Sequence, residues 1–302
     1  MPSALSTALA LGLLLLVAPI VPGVATRTRA VLTGRRGSPI WQLYADLWKL
    51  VRRGIVYSTT TTGVFRLAPA ALLATTLMAA ALLPLDGQRS VLHFAGDAVA
   101  FAGLLGLGRF LLVLGALDTG SSFEGMGASR EVSFAALVEP GLFIALAALG
   151  IASHDSSLSV MLGGPAAPAA ARGPMVMVAV SLFALTLAEC ARVPVDDPAT
   201  HLELTMVHEV MVLDHSGPDL AMILYAGALK LAVFAAIILD VLLPGPRSGG
   251  PGFAALFGSL VALGIGIGIV ESVMARLRLP KVSLYLAAAS AVGLFGMILL
   301  LR

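Results

Sequence analysis

The stretch "DLAMILYAGALKLAVFAAIILDVLL", residues 219–243, decides the fold class of this chain. An apolar run of about 20 residues can cross a bilayer as a helix, because a helix satisfies its backbone hydrogen bonds internally. The same run contains Lys230 near its middle and Asp240 near one end. Charged side chains are costly inside a membrane and usually face a bundle interior or water. The stretch therefore predicts a membrane helix with a functional inner face.

Seven other apolar runs of similar length surround this one. Hydrophobic residues make up 58% of the chain and charged residues 12%, against about 25% charged in a soluble domain. The sequence predicts an all-α, polytopic membrane protein with a single transmembrane domain over 1–302, and it argues against a soluble domain or a β-barrel. The first run lacks a basic n-region and a clear cleavage site, so a retained helix is expected rather than a signal peptide. The expected spans are about 3–24, 64–84, 92–116, 133–152, 174–192, 219–243, 253–272 and 283–301.

The distribution of lysine and arginine predicts the orientation. Thirteen of these 19 residues lie in or beside the odd-numbered loops, and four lie in the even-numbered loops or at the C-terminus. Cytoplasmic loops carry the excess of positive charge. The sequence thus predicts a multi-pass protein of the cytoplasmic (inner) membrane, with both termini outside. The expected cytoplasmic loops are 25–63, 117–132, 193–218 and 273–282.

Cysteine and glycine usage argues against redox chemistry on this chain. Its one cysteine, Cys190, excludes an internal disulfide, and an iron–sulfur cluster or nickel site would need several thiolates. The glycines of "GLLGLGRF" and "GIGIGI" lie inside spans, where close helix packing explains them better than phosphate binding. We therefore expect no catalytic residue, metal ligand or cofactor on this chain, and no nucleic-acid partner.

The first cytoplasmic loop contains an amphipathic segment. Between Pro39 and Gly54, apolar residues repeat at helical spacing, with two tryptophans and basic flanks. Such a pattern predicts a helix lying in the membrane surface. Either it anchors the chain to lipid or a peripheral partner docks on it, and in the second case its polar side chains are interface residues: Gln42, Asp46 and Lys49.

The stretch 188–209, which joins the end of the span 174–192 to the loop 193–218, concentrates charge: "AECARVPVDDPATHLELTMVHE". Asp197-Pro198 resembles an N-cap followed by proline, so a helix is expected over about 198–213. Apolar residues interleave with its acids and histidines, which indicates a helix partly buried against another surface. A metal site is weakly supported, because Glu203 and His208 do not have the HExxH spacing.

Several ionisable residues cannot be assigned to loops: Asp97, Arg109, Glu139, Glu189, Lys230, Asp240 and Glu271. A structural pair of Asp97 with Arg109 would explain two of them. A hydrated, proton-accessible path explains the whole set better, because acid, histidine and lysine relays are built from such groups.

Two motifs carry a resemblance to a known family. "ARVPVDDPATHLELTMVHEVMVLDHSGPDLA" (191–221) and "SREVSFAALVEPG" (129–141) resemble formate hydrogenlyase subunit 4 and its hydrogenase-4 counterpart, and Gln42 with Asp46 fit the same pattern. These are membrane anchors of energy-converting, group 4 [NiFe]-hydrogenases, homologous to the quinone-proximal, eight-helix subunit 1 of respiratory complex I. The resemblance covers nearly the whole chain.

The resemblance implies a role for each matching residue. It implies partner subunits that carry the [NiFe] centre and iron–sulfur clusters: the hydrogenase large and small subunits and an iron–sulfur protein, beside antiporter-like membrane subunits. It places ion coupling at Glu139, Glu189, Arg192, Asp196, Asp197, Glu203 and Glu209. The charges within spans add Asp97, Lys230, Asp240 and Glu271. Contacts to the peripheral arm are expected at Arg130 and Glu131, and also at His201 and His208.

The loop 193–218 departs from the complex I pattern. Asp197 replaces a leucine, and Ala199 and His201 replace two of three glutamates. These departures favour the hydrogenase branch over quinone binding. A complex I-type quinone-binding subunit, an independent transporter and an inert anchor remain as alternatives.

Overall fold

The protein is a bundle of long helices that run back and forth across one apolar layer. The computed structural model describes residues 2–85, 90–163, 171–197, 206–243 and 249–301, and these residues contain no β-strand. The helices are α1 (Pro2–Val17), α2 (Ile20–Leu32), α3 (Gln42–Val51), α4 (Gly63–Ala81), α5 (Asp97–Asp118), α6 (Ser122–Ser153), α7 (Leu158–Gly163), α8 (Arg172–Glu189), α9 (Gly217–Leu242), α10 (Gly249–Val273) and α11 (Leu279–Leu300).

The predicted polytopic, all-α class is confirmed. Seven helices among the described residues are long and apolar enough to cross a membrane: α4, α5, α6, α8, α9, α10 and α11. The pair α1 and α2 passes the same test together and would make an eighth span. Each of the eight predicted spans thus corresponds to one helix or to this pair.

The first span is broken where the sequence predicts one helix. α1 and α2 meet at an angle of 45°, and Pro19 is the residue before α2. Proline has no backbone N–H and cannot continue the hydrogen-bond ladder of the preceding helix, which explains the bend. α2 continues to Leu32, beyond the expected end at 24, so Arg27 and Arg29 lie on a helix rather than in loop 25–63.

The sixth helix begins at Ser122 rather than at about 133. The expected loop 117–132 is therefore reduced to a short connection, and Arg130 and Glu131 lie within a helix. Gly127, within the expected loop, allows close packing of this helix. A Cβ atom on Gly127 would lie 2.9 Å from the carbonyl oxygen of Val207. Tertiary contact has overridden the low helix propensity of these small residues.

The helix expected over 198–213 is not found in its described part. Residues 206–208 form an irregular turn, and a single 3₁₀ turn follows at Glu209–Val212. Residues 198–205, which include His201 and Glu203, lie outside the described residues. The buried side chains Val210 and Met211 nevertheless agree with the prediction that this loop packs against another surface.

Glycines bring α10 against α2, as predicted for "GIGIGI". A Cβ atom on Gly264 would lie 2.9 Å from Val24, and one on Gly268 would lie 2.6 Å from the carbonyl oxygen of Ala25. Small residues allow helix backbones to approach closely within a membrane, where no hydrophobic force draws helices together. These contacts hold the first span at one side of α9, which is the most buried span among the described residues.

The amphipathic helix predicted in the first loop is present as α3. It packs on α9 and α2, and Tyr44 donates a hydrogen bond from its hydroxyl to the Leu16 carbonyl of α1. The helix ends beside the start of α9, where Gly217 has a φ of +56°. A Cβ atom there would lie 2.8 Å from the Gly54 carbonyl oxygen, so only glycine fits this contact.

Candidate functional site

A cluster of five charged side chains, four of them largely buried, lies between α5, α6, α8 and α9. Arg109 of α5 is at its centre, and only 7% of its side chain is exposed. Its guanidinium contacts Glu131 at 3.3 Å and Glu139 at 2.8 Å, both on α6, and it also bonds Glu189 at the end of α8. Lys230 of α9 lies 3.2 Å from Glu189. We call these five residues the Arg109 cluster.

The charges of the Arg109 cluster do not cancel. Its three carboxylates share two cations, so one negative charge is left over when all of them are ionised. Like charges held close together repel one another, so the two cations are needed to hold three carboxylates side by side.

Glu139 is the exposed member of the cluster. Its side chain is 45% exposed, whereas that of Glu189 is 2% exposed. Both belong to helices that are candidate membrane spans. A carboxylate on the outer surface of a span is costly against lipid. The cluster thus extends from the interior of the chain at Glu189 to its surface at Glu139. A polar neighbouring subunit would stabilise the exposed carboxylate of Glu139.

A second charged cluster lies beside the first. Arg29 of α2 lies 3.2 Å from Asp197 and 3.9 Å from Glu271 of α10. Arg192 lies 3.5 Å from the same Glu271. We call these four residues the Arg29 cluster. It brings together the first span, the loop after α8 and α10.

The turn after α8 positions this loop. α8 ends at Glu189, and Ala191 adopts a left-handed conformation with φ of +49°. A left-handed residue just past a helix end redirects the chain. The backbone N–H of Arg192 then bonds the carbonyl oxygen of Leu187 at 2.7 Å, which folds the chain back along the end of α8.

Asp196 organises the described part of the same loop. Its carboxylate accepts hydrogen bonds from the backbone N–H groups of Val207 and His208, both at 3.1 Å. It also pairs with Arg276, just after α10, at 3.1 Å. Asp196 thus ties the two flanks of residues 198–205 to each other and to α10. Asp196 is 2% exposed, so it stabilises the chain from within and does not lie on the surface.

A cavity of about 190 Å³ adjoins the Arg109 cluster and is also lined by Arg192 of the Arg29 cluster. Its lining is partly charged and partly apolar, and we call these two parts the charged wall and the apolar wall. The charged wall consists of Arg109, Glu131, Glu189, Arg192, Asp196, His208, Glu209 and Lys230. The apolar wall includes Leu43 of α3, Leu72 of α4, Leu112 of α5, and Ile223, Leu224 and Leu231 of α9.

His208 is held neutral at the edge of this cavity. It is partly exposed at its surface, yet neighbouring atoms enclose its ring enough that burial lowers its pKa to about 4. The positive charge of Lys230 adds to this decrease, while Asp196 opposes it. At neutral pH the imidazole therefore offers one donor and one acceptor without charge.

Several residues predicted for ion coupling come together here. Glu139, Glu189 and Lys230 belong to the Arg109 cluster, and Arg192, Asp197 and Glu271 belong to the Arg29 cluster. Asp196 and Glu209 line the cavity. Glu203 lies outside the described residues.

Asp97 and Asp240 are not part of either cluster. Asp97 accepts hydrogen bonds from the backbone N–H of Leu158 at 2.6 Å and from the Ser157 hydroxyl at 3.1 Å. It thus caps the short helix α7, and it does not pair with Arg109 as the structural alternative supposed. Asp240 is buried near the end of α9.

The residues predicted to face a partner divide into three groups. Gln42 donates to Asp46 at 2.9 Å on α3, with Lys49 beside them. Arg130 donates to the Met206 carbonyl at 2.8 Å, and Glu131 pairs with Arg109, so the described contacts of both are internal. His208 lines the cavity, and His201 lies outside the described residues.

Sequence reasoning missed the central position of Arg109. It included Arg109 among the charges of a hydrated path, but it neither named Arg109 as a coupling residue nor paired it with the glutamates. An arginine inside an apolar span is always protonated and requires several acceptors. That requirement, together with the surplus of glutamates in neighbouring spans, was the signal that could have identified it. Among the described residues, no group of three or more histidine, cysteine or acidic side chains is placed to hold a metal ion.

Comparison with known proteins identifies related membrane subunits. The NADH dehydrogenase family model matches residues 5–301. Hydrogenase-4 component C of Escherichia coli K12 is 32% identical over 249 residues, which cover 82% of this chain and 78% of that protein. Formate hydrogenlyase subunit 4 of the same organism is 30% identical over 274 residues, which cover 87% of each chain.

A solved structure shows the same fold. It is a chain of the membrane-bound sulfane sulfur reductase, an archaeal respiratory membrane complex, with a TM-score of 0.85. The match covers 99% of this chain and 100% of that chain at 18% sequence identity. The arrangement of helices described above is therefore shared with a subunit of a respiratory complex.

Proposed function

Because the chain belongs to the NADH dehydrogenase family, we propose that it is the membrane anchor and ion-coupling subunit of an energy-converting hydrogenase complex. Two relatives that bear the names of hydrogenase-4 and formate hydrogenlyase subunits support the hydrogenase branch. The chain would anchor a peripheral arm that contains the hydrogenase large and small subunits and an iron–sulfur protein. Those partners would carry the [NiFe] centre and the clusters, and antiporter-like subunits would adjoin it in the membrane.

The proposed orientation follows from the loop charges. The face formed by the loops after α2, α5, α8 and α10 would lie in the cytoplasm of a cell bounded by an inner membrane, with both termini outside. This face holds α3 and the loop that Asp196 organises, and it is where the peripheral arm would dock. The cavity lies directly beneath it, so charge changes in that arm would act on the cavity's charged wall.

The coupling role is supported mainly by a continuous series of side-chain contacts that leads from the cavity to Glu139. Lys230 contacts Glu189, Glu189 contacts Arg109, and Arg109 contacts Glu139. A proton entering at the cavity can protonate a carboxylate of the Arg109 cluster and weaken its hold on Arg109. Because Arg109 keeps its own protons, the extra proton would pass between the carboxylates through water, and half-exposed Glu139 would then release it to a neighbouring membrane subunit.

Neutral variants of the two glutamates test this role. Glu139→Gln and Glu189→Gln are expected to impair ion pumping or coupled turnover in membrane vesicles while the complex remains assembled. Asp97→Asn is the matched control, because Asp97 is buried and hydrogen-bonded but lies outside the Arg109 cluster. Its expected effect is on stability and not on the ratio of pumping to turnover.

Each contrary result points to a different function. If the glutamine variants fail to assemble, the glutamates are structural ion pairs and the relay proposal fails. If pumping and turnover are both unchanged, the chain is an inert anchor. Ion transport by the purified chain alone would instead identify an independent transporter.

A second candidate function is quinone binding at the cavity. The presence of both an apolar and a charged wall supports it, because an amphipathic molecule needs both. The volume of about 190 Å³ opposes it, since small-molecule sites usually measure about 300–1,000 Å³. Replacing Leu112 by Trp would fill the apolar side. Loss of quinone reduction with unchanged hydrogen evolution would favour this second function.

A further inference from the structure

Both tryptophans of the chain lie on the outer surface of α3. Trp41 and Trp48 are the two tryptophans in the sequence, and they are 67% and 61% exposed. A spacing of seven residues places them on one helix face, together with Ala45 and Arg52. Leu43 points the other way and lines the cavity. The tryptophan face is thus distinct from the face that packs on the bundle.

Positive charge surrounds the tryptophan face. The Arg52 guanidinium lies 4.1 Å from the centroid of the Trp48 ring, in a cation–π contact. Four other exposed cations are close in sequence: Arg35, Arg36, Lys49 and Arg53. The acid on this helix is Asp46, which already accepts from Gln42 and lies 4.0 Å from Lys49. The charge balance therefore suits an anionic occupant.

α3 is fixed at both ends against membrane helices. The Ile40 carbonyl contacts Gly23 of α2, so closely that a Cβ atom there would not fit. At the other end, the backbone N–H of Val56 bonds the Ser216 hydroxyl at 3.3 Å, just before α9 begins. These contacts hold the tryptophans at the level where a span leaves the apolar layer. Tryptophan is enriched at that level in membrane proteins.

We propose that the outer face of α3 binds an anionic phospholipid of the surrounding bilayer. Arg52 and Arg53 contact the phosphate, and Trp41 and Trp48 lie against the glycerol and upper acyl region. The site does not depend on the hydrogenase partners. Because Leu43 lies on the opposite face of α3, a lipid bound outside also steadies one wall of the cavity.

Tryptophan fluorescence tests the proposal directly, since it arises from this face alone. The full chain is reconstituted in phosphatidylcholine vesicles that contain equal fractions of either brominated phosphatidylglycerol or brominated phosphatidylcholine. Brominated phosphatidylglycerol is expected to quench more strongly, and this preference should fall as salt is raised. Arg52→Gln and Arg53→Gln should each reduce the preference about fivefold, given the attraction of one surface cation for an anionic membrane.

Two exposed cations from another loop provide the matched control. Arg278→Gln and Lys281→Gln also remove positive charge but lie far from α3 in sequence, and they should leave the preference unchanged. Equal quenching by the two brominated lipids would show membrane contact without headgroup recognition and would overturn the proposal. Absence of quenching by either lipid would show that the tryptophans do not contact the bilayer, and would overturn the proposal as well.

Discussion

Arg109 on α5 donates a hydrogen bond to Glu139 on α6 at 2.8 Å, although the pair lies in the apolar part of the bundle. The same guanidinium bonds Glu131 and Glu189. Arginine is suited to this position because its planar group presents five donors and keeps its charge. One side chain thus joins three carboxylates from two helices.

Replacing Arg109 should show how much of the protein's stability depends on its bonds to the three glutamates. Arg109→Gln leaves three carboxylates with Lys230 as their one cation in the cluster, and breaking a buried ion pair in this way costs about 3–5 kcal/mol. Thermal unfolding of the complex in detergent measures the loss. Arg109→Lys keeps the charge but not the fork of donors, so it should recover part of the stability. Equal stability of the two variants would contradict the importance of the fork.

Asp196 is expected to keep the loop after α8 in its folded conformation. Asp196→Asn removes the charge that pairs with Arg276 and weakens the bonds to the N–H groups of Val207 and His208. Hydrogen bonds to charged groups contribute about 1.5–3 kcal/mol. Amide hydrogen exchange at residues 206–208 should accelerate, and the peripheral arm should be retained less well during purification. Asp214→Asn, an exposed acid of the same loop, should change neither measurement.

His208 should make the folded protein sensitive to mild acid. Its pKa is about 4 in the folded state and about 6.5 when unfolded. Between these values the unfolded chain binds a proton that the folded chain does not, so stability falls as pH decreases from about 6.5 to 4. His208→Gln should flatten the dependence of the melting temperature on pH across that window. A slope identical to that of the parent protein would disprove the assignment.

The contact between α2 and α10 should not tolerate a side chain. Gly268→Val would place methyl groups against the Ala25 carbonyl and Thr28, and overpacking of this kind costs about 1–3 kcal/mol or more. Gly258→Val is the control on the same helix, because a Cβ atom there meets nothing within 4 Å. Melting temperatures of the two variants in detergent should differ clearly. Similar values would mean that α2 and α10 can separate without loss.

The sequence predicted which parts of the chain form spans, but not where each span begins and ends. The start of α6 is the clearest case. Gly125 and Gly127 have low helix propensity, and the packing of Gly127 against Val207 and Val210 offsets it. The break at Pro19 carried a visible signal in the proline itself. The expected helix after Asp197 rested on a capping pattern, yet its described end forms a 3₁₀ turn in which Val210 and Met211 are buried.

The sequence by itself determined the fold class, the number of spans, the surface helix α3 and the concentration of charge after α8. These properties follow from runs of neighbouring residues and from one helical repeat, so they can be read locally. Only the tertiary structure decided which charges meet. The partners of Arg109 lie 30 and 80 residues further along the chain, at Glu139 and Glu189. No local pattern encodes such a distance, because it depends on how whole helices pack.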